Sequence, residues 1–345
     1  MAGPDPAVAR GRRALRELGS RRAILACSGG QDSLALAACA AFVAPRDGWD
    51  VHVIVVDHQL RETSGAEAAA AAAMVRSLGL TVDVIAITVP GGAGGTGHGG
   101  PEAAARTARR AALLAAAERH EADAILLGHT LDDQAETVLL ALARGSGAAS
   151  LSGMRRRDGL WARPFLGLRR DETRAICEAH ALRPIEDPSN DLEGPWRAAD
   201  GSALRRIALR HRVLPALIEI LGPAVPLALA RTADQLARDD DALSELARDL
   251  ADAAEVACEV ATGTCYDLAT LRAAHPAIRT RLIHRALAAA AGEGVQIGSV
   301  HVGEVDRLIT TGGVHGPIFT PGGVIAQKVN GMLMVASPQG DIRGR

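Results

Sequence analysis

A chain of 345 residues is too long for one small core and predicts two domains. Its net charge of −2 excludes a polycationic surface, so an RNA partner would have to meet a local basic face. Aromatics are only 2% of residues and Lys328 is the only lysine, so the core is aliphatic and a Walker A loop or covalent lysine chemistry is excluded.

The run 23–27 reads as a buried strand, and 34–43 after it as a helix. Residues 51–56 and 66–78 repeat that strand and helix pattern, and 82–87, 102–119 and 124–127 continue it. Residues 90–101 are glycine-rich and predict a plain connecting loop. A fifth strand near 160–165 and a helix near 171–181 complete the series. Alternating β and α segments predict an α/β domain over residues 1–222, with a parallel sheet covered by helices on both faces. Beyond it, 226–257, 276–291 and 300–309 read as helices, and 318–335 as a β-hairpin around Gly331. They predict a second, mainly helical domain over 223–345.

Cys27, Cys39, Cys177, Cys258 and Cys265 are scattered without a CxxC or a metal-ligand spacing, which predicts reduced, mostly buried thiols. With no long apolar run and no secretory core at the N-terminus, the sequence predicts a soluble cytoplasmic protein with no membrane partner.

The chemistry gathers where strands end. Ser28-Gly29-Gly30-Gln31-Asp32-Ser33 follows the first strand and opens a helix. Adjacent glycines let backbone amides approach an anion, Ser28 and Ser33 add hydroxyl donors, and the helix N-terminus adds its positive dipole end. Asp32 would repel phosphate alone, but it fits a site in which Mg2+ bridges carboxylate and phosphates. Asp57 and His58 end the second strand and Gly128 and His129 the fourth, so all fall on the edge where nucleotides bind such sheets.

The hexapeptide resembles the loop of the N-type ATP pyrophosphatases, the PP-loop superfamily of adenine nucleotide alpha hydrolase-like fold. That resemblance implies attack at the α-phosphorus of ATP with pyrophosphate as leaving group. Further segments narrow it: Val55–Arg61, Glu102–Arg109, Gly128–Thr137, Glu186–Asn190 and the basic stretch Arg205–Arg212 running into Leu214-Pro215. In order and spacing they resemble the tRNA(Ile)-lysidine synthetase family.

That resemblance implies ATP and Mg2+ as cofactors, and tRNA(Ile) with a CAU anticodon and free L-lysine as partners. It implies further that the C2 oxygen of the wobble cytidine attacks ATP and that the lysine ε-amine then displaces AMP from C2. Asp133 and Glu136, three apart on one helix, share a face and can hold an ammonium and accept its proton. The resemblance points to the same two as lysine-contacting, and Asp32, Asp133, Glu136 and Arg206 are the candidate catalytic residues. Arg106 and Arg109 on the third helix, and Arg205, Arg206, Arg210 and Arg212, are the candidate RNA contacts.

The sequence departs from the family pattern where Ile207 replaces an asparagine, in about eight extra residues within 191–204, and in stopping soon after the hairpin, short of a third domain. A 2-thiolation enzyme of the same superfamily would need cysteines as sulfur carriers, and an ATP sensor would not need the paired acids.

Overall fold

The computed structural model describes residues 3–59, 63–88, 100–145, 147–188, 191–194, 203–258, 263–292, 294–312 and 316–337. The expected loop at 90–101 and the extra residues within 191–204 lie largely outside them, as do Leu60, Arg61, Ser189 and Asn190. Two compact units result, Met1–Ala237 and Arg238–Arg345.

The first unit opens with α1 (Pro6–Arg16), β1 (Arg22–Ala26), α2 (Gln31–Asp47) and β2 (Asp50–Asp57). It continues with α3 (Ser64–Ser77), β3 (Thr81–Ala86), α4 (Gly100–Arg119), β4 (Ala124–Leu126), α5 (Leu131–Ala143) and α6 (Ala148–Leu151). Two-residue strands β5 (Arg157–Asp158) and β6 (Trp161–Ala162) precede α7 (Arg170–Ala179). After α8 (Arg205–Ala208) come a π-helical turn over Leu209–Val213, α9 (Leu214–Leu221) and α10 (Val225–Ala254), which crosses the division between units.

The sheet order is β3-β2-β1-β4-β6-β5, parallel except for the edge pair β5–β6. The expected fifth strand is thus short, and Pro164–Gly167 forms a 3-10 turn in place of its second half. Proline lacks the amide a ladder needs. Alternation along β1 builds both layers. Ala23 and Leu25 pack with α1, α2, α3 and α7, while Ile24 points the other way into a cluster with Ile54, Ile125 and the α4 residues Leu113, Ala116 and Ala117. Helix α2 is buried on nearly every side from Ser33 to Ala40, which its small residues permit. Because β1 has β2 on one flank and β4 on the other, the order reverses at β1, and a crevice opens at the carboxyl ends there.

The second unit contains β7 (Glu255–Val256), β8 (Gly263–Asp267), α11 (Leu268–Ala273), α12 (Pro276–Ala291) and α13 (Ser299–Thr310). Strands β9 (Ile318–Phe319), β10 (Ile325–Val329) and β11 (Met332–Ala336) follow. Asn330 and Gly331, both at positive φ, make the two-residue turn that joins β10 to β11. The expected hairpin is therefore the middle of a five-stranded antiparallel sheet, β7-β8-β11-β10-β9. Leu271, Ile283, Leu287, Val305 and Leu308 pack with Leu333 and Val335 of this sheet.

One sequence expectation is corrected here. Cys258 and Cys265 are joined in a disulfide rather than held as separate thiols. Cys265 lies opposite Val256 in the β7–β8 ladder, so the chain brings the two cysteine Cα atoms to 5.2 Å. Cys27, Cys39 and Cys177 are free and buried, as expected. Among the described residues, no single helix is long and apolar enough to cross a membrane.

Candidate active site

The turn after β1 is held from within. Ser33 Oγ donates to the Gly30 carbonyl at 2.9 Å, accepts from the Ser28 amide at 3.2 Å and lies 3.3 Å from Ser28 Oγ. Gly29 has φ +79°, and a Cβ there would stand 2.8 Å from Ile185 Cδ1 and 2.9 Å from Ala71 Cβ. Gly30 takes the N-cap position of α2 with no side-chain cap, so the first amides of that helix face the turn. The Gln31 carboxamide turns away from the loop and donates to the Arg170 carbonyl and Thr173 Oγ1, at 2.7 and 2.8 Å.

Gly128, after β4, abuts this turn. A Cβ on it would lie 3.0 Å from the backbone of Asp32 and Ser33, so only glycine lets the two strand-end loops meet. Thr130 then caps α5: its amide and hydroxyl donate to Asp133 Oδ2 at 2.8 and 2.9 Å, and Asp133 returns its amide to the hydroxyl at 3.4 Å.

The carboxylates of α5 meet three arginines. Arg170 Nη2 donates to Asp133 Oδ1 at 2.8 Å and its Nη1 lies 3.6 Å from Glu136 Oε1. Arg210 grips Glu136 with two nitrogens, at 2.8 and 3.1 Å, and reaches Asp133 Oδ1 at 3.2 Å. Arg206 Nε lies 3.3 Å from Glu136 Oε2 and its Nη2 donates to Thr137 Oγ1 at 2.8 Å. Glu136 is wholly buried beneath them. Asp32 joins from α2, accepting from Thr173 Oγ1 at 2.5 Å and facing Arg170 Nε at 3.7 Å. Three carboxylates and three guanidiniums thus share one cleft.

The two aspartates end on opposite sides of their usual range. Burial raises the Asp32 carboxyl despite Thr173 and Arg170. It would also raise Asp133, but Arg170, the Thr130 amide, His129 and Arg210 together outweigh it and hold that carboxyl below its usual range.

Burial also lowers His129 to about 4; Asp133 opposes the shift while Arg163, Arg206 and Arg106 add to it. His129 is therefore neutral at physiological pH. As pH falls from about 6.5 toward 4 the unfolded chain takes up this proton first, so the group's contribution to stability is present above about 6.5 and is lost over that window. An NMR titration of the His129 ring is expected to show a midpoint near 4; a midpoint at its ordinary value would disprove the burial account.

Asp57 ends β2 and accepts from the Gln59 amide at 2.9 Å. His58 beside it is lowered by burial and by Arg109, against Asp57 and Asp187. Arg106 and Arg109 on α4 thus act on the residues ending β4 and β2 respectively. Of the basic run, Arg206 and Arg210 turn inward to the carboxylates, while Arg205 and Arg212 stay exposed. Arg170 and Thr173, which tie Asp32, Asp133 and Glu136 together, are the residues the sequence reading missed. The pair Arg169-Arg170 opening a helix was their one local signal. Asp132 locks the same junction, accepting from Arg169 Nε at 3.1 Å and from the Arg170 amide at 2.8 Å.

A lysine-free glycine turn at the switch point of a parallel sheet defines an ATP-using enzyme of the PP-loop class. The family described as PP-loop domain matches residues 6–217, and that described as TilS substrate binding domain matches 267–328. A tRNA(Ile)-lysidine synthase of Thermobifida fusca is 43% identical over 98% of this chain and 100% of its own length. The Streptomyces coelicolor protein of that name is 48% identical over 90% of this chain and 84% of its own, and the Leifsonia xyli one 46% over 90% and 88%. This chain belongs to the tRNA(Ile)-lysidine synthase family. Among solved structures, a U34-tRNA thiolase from Methanococcus maripaludis shares the fold, with a TM-score of 0.55 and 18% identity over 67% of this chain and 78% of that one.

Proposed function

We infer that this chain forms lysidine in the CAU anticodon of tRNA(Ile), as a ligase joining the ε-nitrogen of free lysine to C2 of the wobble cytidine. Near-full-length identity to relatives of that name supports this over 2-thiolation. The observation that carries the chemistry is the junction at Gly128, where the phosphate turn meets the carboxylates of α5.

In this reading the amides of Gly29, Gly30, Gln31, Asp32 and Ser33 and the hydroxyls of Ser28 and Ser33 bind the pyrophosphate end of ATP. Asp57, His58, Gly128 and His129 line the nucleoside side. The cytidine C2 oxygen attacks the α-phosphorus, and pyrophosphate departs into the turn. The ε-amine then attacks C2, AMP leaves, and Asp133 or Glu136 takes the proton the amine sheds.

Arg206 and Arg210 cover these two acids, so lysine reaches them once the guanidiniums move onto phosphate oxygens of ATP or tRNA, which arginine binds as readily as carboxylate. Arg205 and Arg212 remain outside for the RNA backbone, with Arg106 and Arg109 on the nucleotide side. Asp32 fits Mg2+, because burial disfavours its ionised form and a cation would restore it. Bound there with phosphate oxygens, Mg2+ would neutralise the leaving group. A cytoplasmic location follows from the substrates.

The deciding measurement is AMP release by purified protein given total tRNA, lysine, or both. Release is expected to need tRNA and to turn over fully only with both; release indifferent to either would disprove the reading. Asp133→Asn keeps the cap of α5 but removes a charge. It is expected to raise the KM for lysine about tenfold or more, the order of one charge-assisted hydrogen bond, with ATP binding spared. An unaltered lysine KM would remove Asp133 from the lysine site.

A further inference from the structure

The end of the sheet opposite the phosphate turn carries a side-chain cluster that the proposed chemistry does not use. His52 is the third residue of β2, Asp83 the third of β3, and His120 follows the last residue of α4. His52 and Asp83 lie two residues before Ile54 and Ile85, so strand alternation puts them on the face that α4 covers.

His52 Nε2 lies 2.9 Å from Asp83 Oδ2. The rings of His52 and His120 stack, with centroids 4.1 Å apart and planes 25° from parallel. One ligand atom from each of the three residues lies within 4.8 Å of the other two. Among the described residues, His120 Nε2 is buried and has no hydrogen-bond partner.

A neutral imidazole keeps a lone pair on one of its two ring nitrogens, so each ring can offer a ligand atom once the tautomer is set. A buried ring nitrogen with no partner is costly unless something fills the gap next to it. A water could satisfy one nitrogen but would not join it to the carboxylate, which His52 and solvent already engage. A borderline-soft divalent cation satisfies both, since imidazole and carboxylate are its common ligands. Zn–N and Zn–O bonds of about 2.0–2.2 Å set tetrahedral ligand atoms about 3.3–3.6 Å apart. Binding therefore requires the cluster to contract and one stacked ring to turn so that both lone pairs converge, while the half-exposed Asp83 side chain is free to swing inward.

We propose that His52, Asp83 and His120 bind one divalent transition-metal ion of the zinc class, with water completing the coordination on the exposed side. The ion clamps β2, β3 and the C-terminal end of α4. The far end of β2 leads to Asp57 and His58, and α4 carries Arg106 and Arg109, so the clamp braces elements that reach the nucleotide crevice.

The test uses the full chain, stripped with chelator and titrated with Zn2+ alone by calorimetry, with Co2+ absorption reporting ligand geometry. One equivalent should bind the parent, bind about tenfold or more weakly in His120→Gln and in Asp83→Asn, and be unaffected by His284→Gln, an exposed histidine elsewhere. Zn2+ should raise the Tm of the parent and of His284→Gln but not of the other two. Equal affinity across all four proteins, or no saturable binding by the parent, overturns the proposal. Asp83→Asn, at a half-exposed position, carries the test alone if His120→Gln does not fold.

Discussion

Glu136→Ala is expected to lower stability by about 3–5 kcal/mol, because it strips the shared anion from guanidiniums that approach it from three sides. Arg210 holds Glu136 with two nitrogens, of which Nη2 also reaches Asp133 while Nε is paired with Glu136, so the pairing is only partly kept once the carboxylate is gone. Arg170 and Arg210 keep Asp133, so the loss falls mostly on the α8 side of the cleft. Glu136→Gln retains the shape and one acceptor oxygen, and should cost less than half as much. Chemical denaturation of the two variants measures the difference. A Glu136→Ala protein as stable as the parent would mean that the acid contributes nothing to holding α8 against α5.

Gly29→Ala should reduce AMP formation by about a hundredfold, the order expected when reacting groups are displaced by roughly 1 Å. Two effects act together. At φ +79° an L-residue costs about 1–2 kcal/mol. The added methyl also meets Ile185 and Ala71 at under 3.0 Å, so the turn or the segment 182–187 must shift. Gly30→Ala lacks both effects, since its Cβ would meet only Ser28 Oγ at 3.5 Å and its φ of −73° suits any residue, so any smaller loss it shows reports crowding of the bound phosphate alone. Initial rates at saturating tRNA and lysine should separate the pair, and equal rates for both variants would show that the turn tolerates distortion.

What the sequence reveals is what is local. Residues 28–33 are legible because a strand, paired glycines, hydroxyls and a helix start lie within a few positions of each other. Asp133 and Glu136 are legible for the same reason, as i and i+3 of one helix. Arg170 is not, because its bond to Asp133 spans 37 residues and nothing at position 170 advertises the partner. The inward turn of Arg206 and Arg210 was equally hidden. A basic run reads as surface, and only the packing of α8 against α5 decides which of its members face Glu136. In the second unit, β7 and β9 carry two residues each, and β8, though as long as the hairpin strands, lies far from them in sequence, so only the central hairpin of the five-stranded sheet showed. The Cys258–Cys265 bond was missed because it depends on β7 and β8 pairing across residues that carry no motif.

The contact at Gly128 fixes a spacing. With the backbone of one strand-end loop resting on the backbone of the other, the anion cradle and the acidic helix cannot drift apart as nucleotide, RNA and amino acid come and go. In the proposed reaction, an activated base made on one side of that seam is already within reach of an amine held on the other. Such an intermediate need not travel between stations where bulk water could consume it.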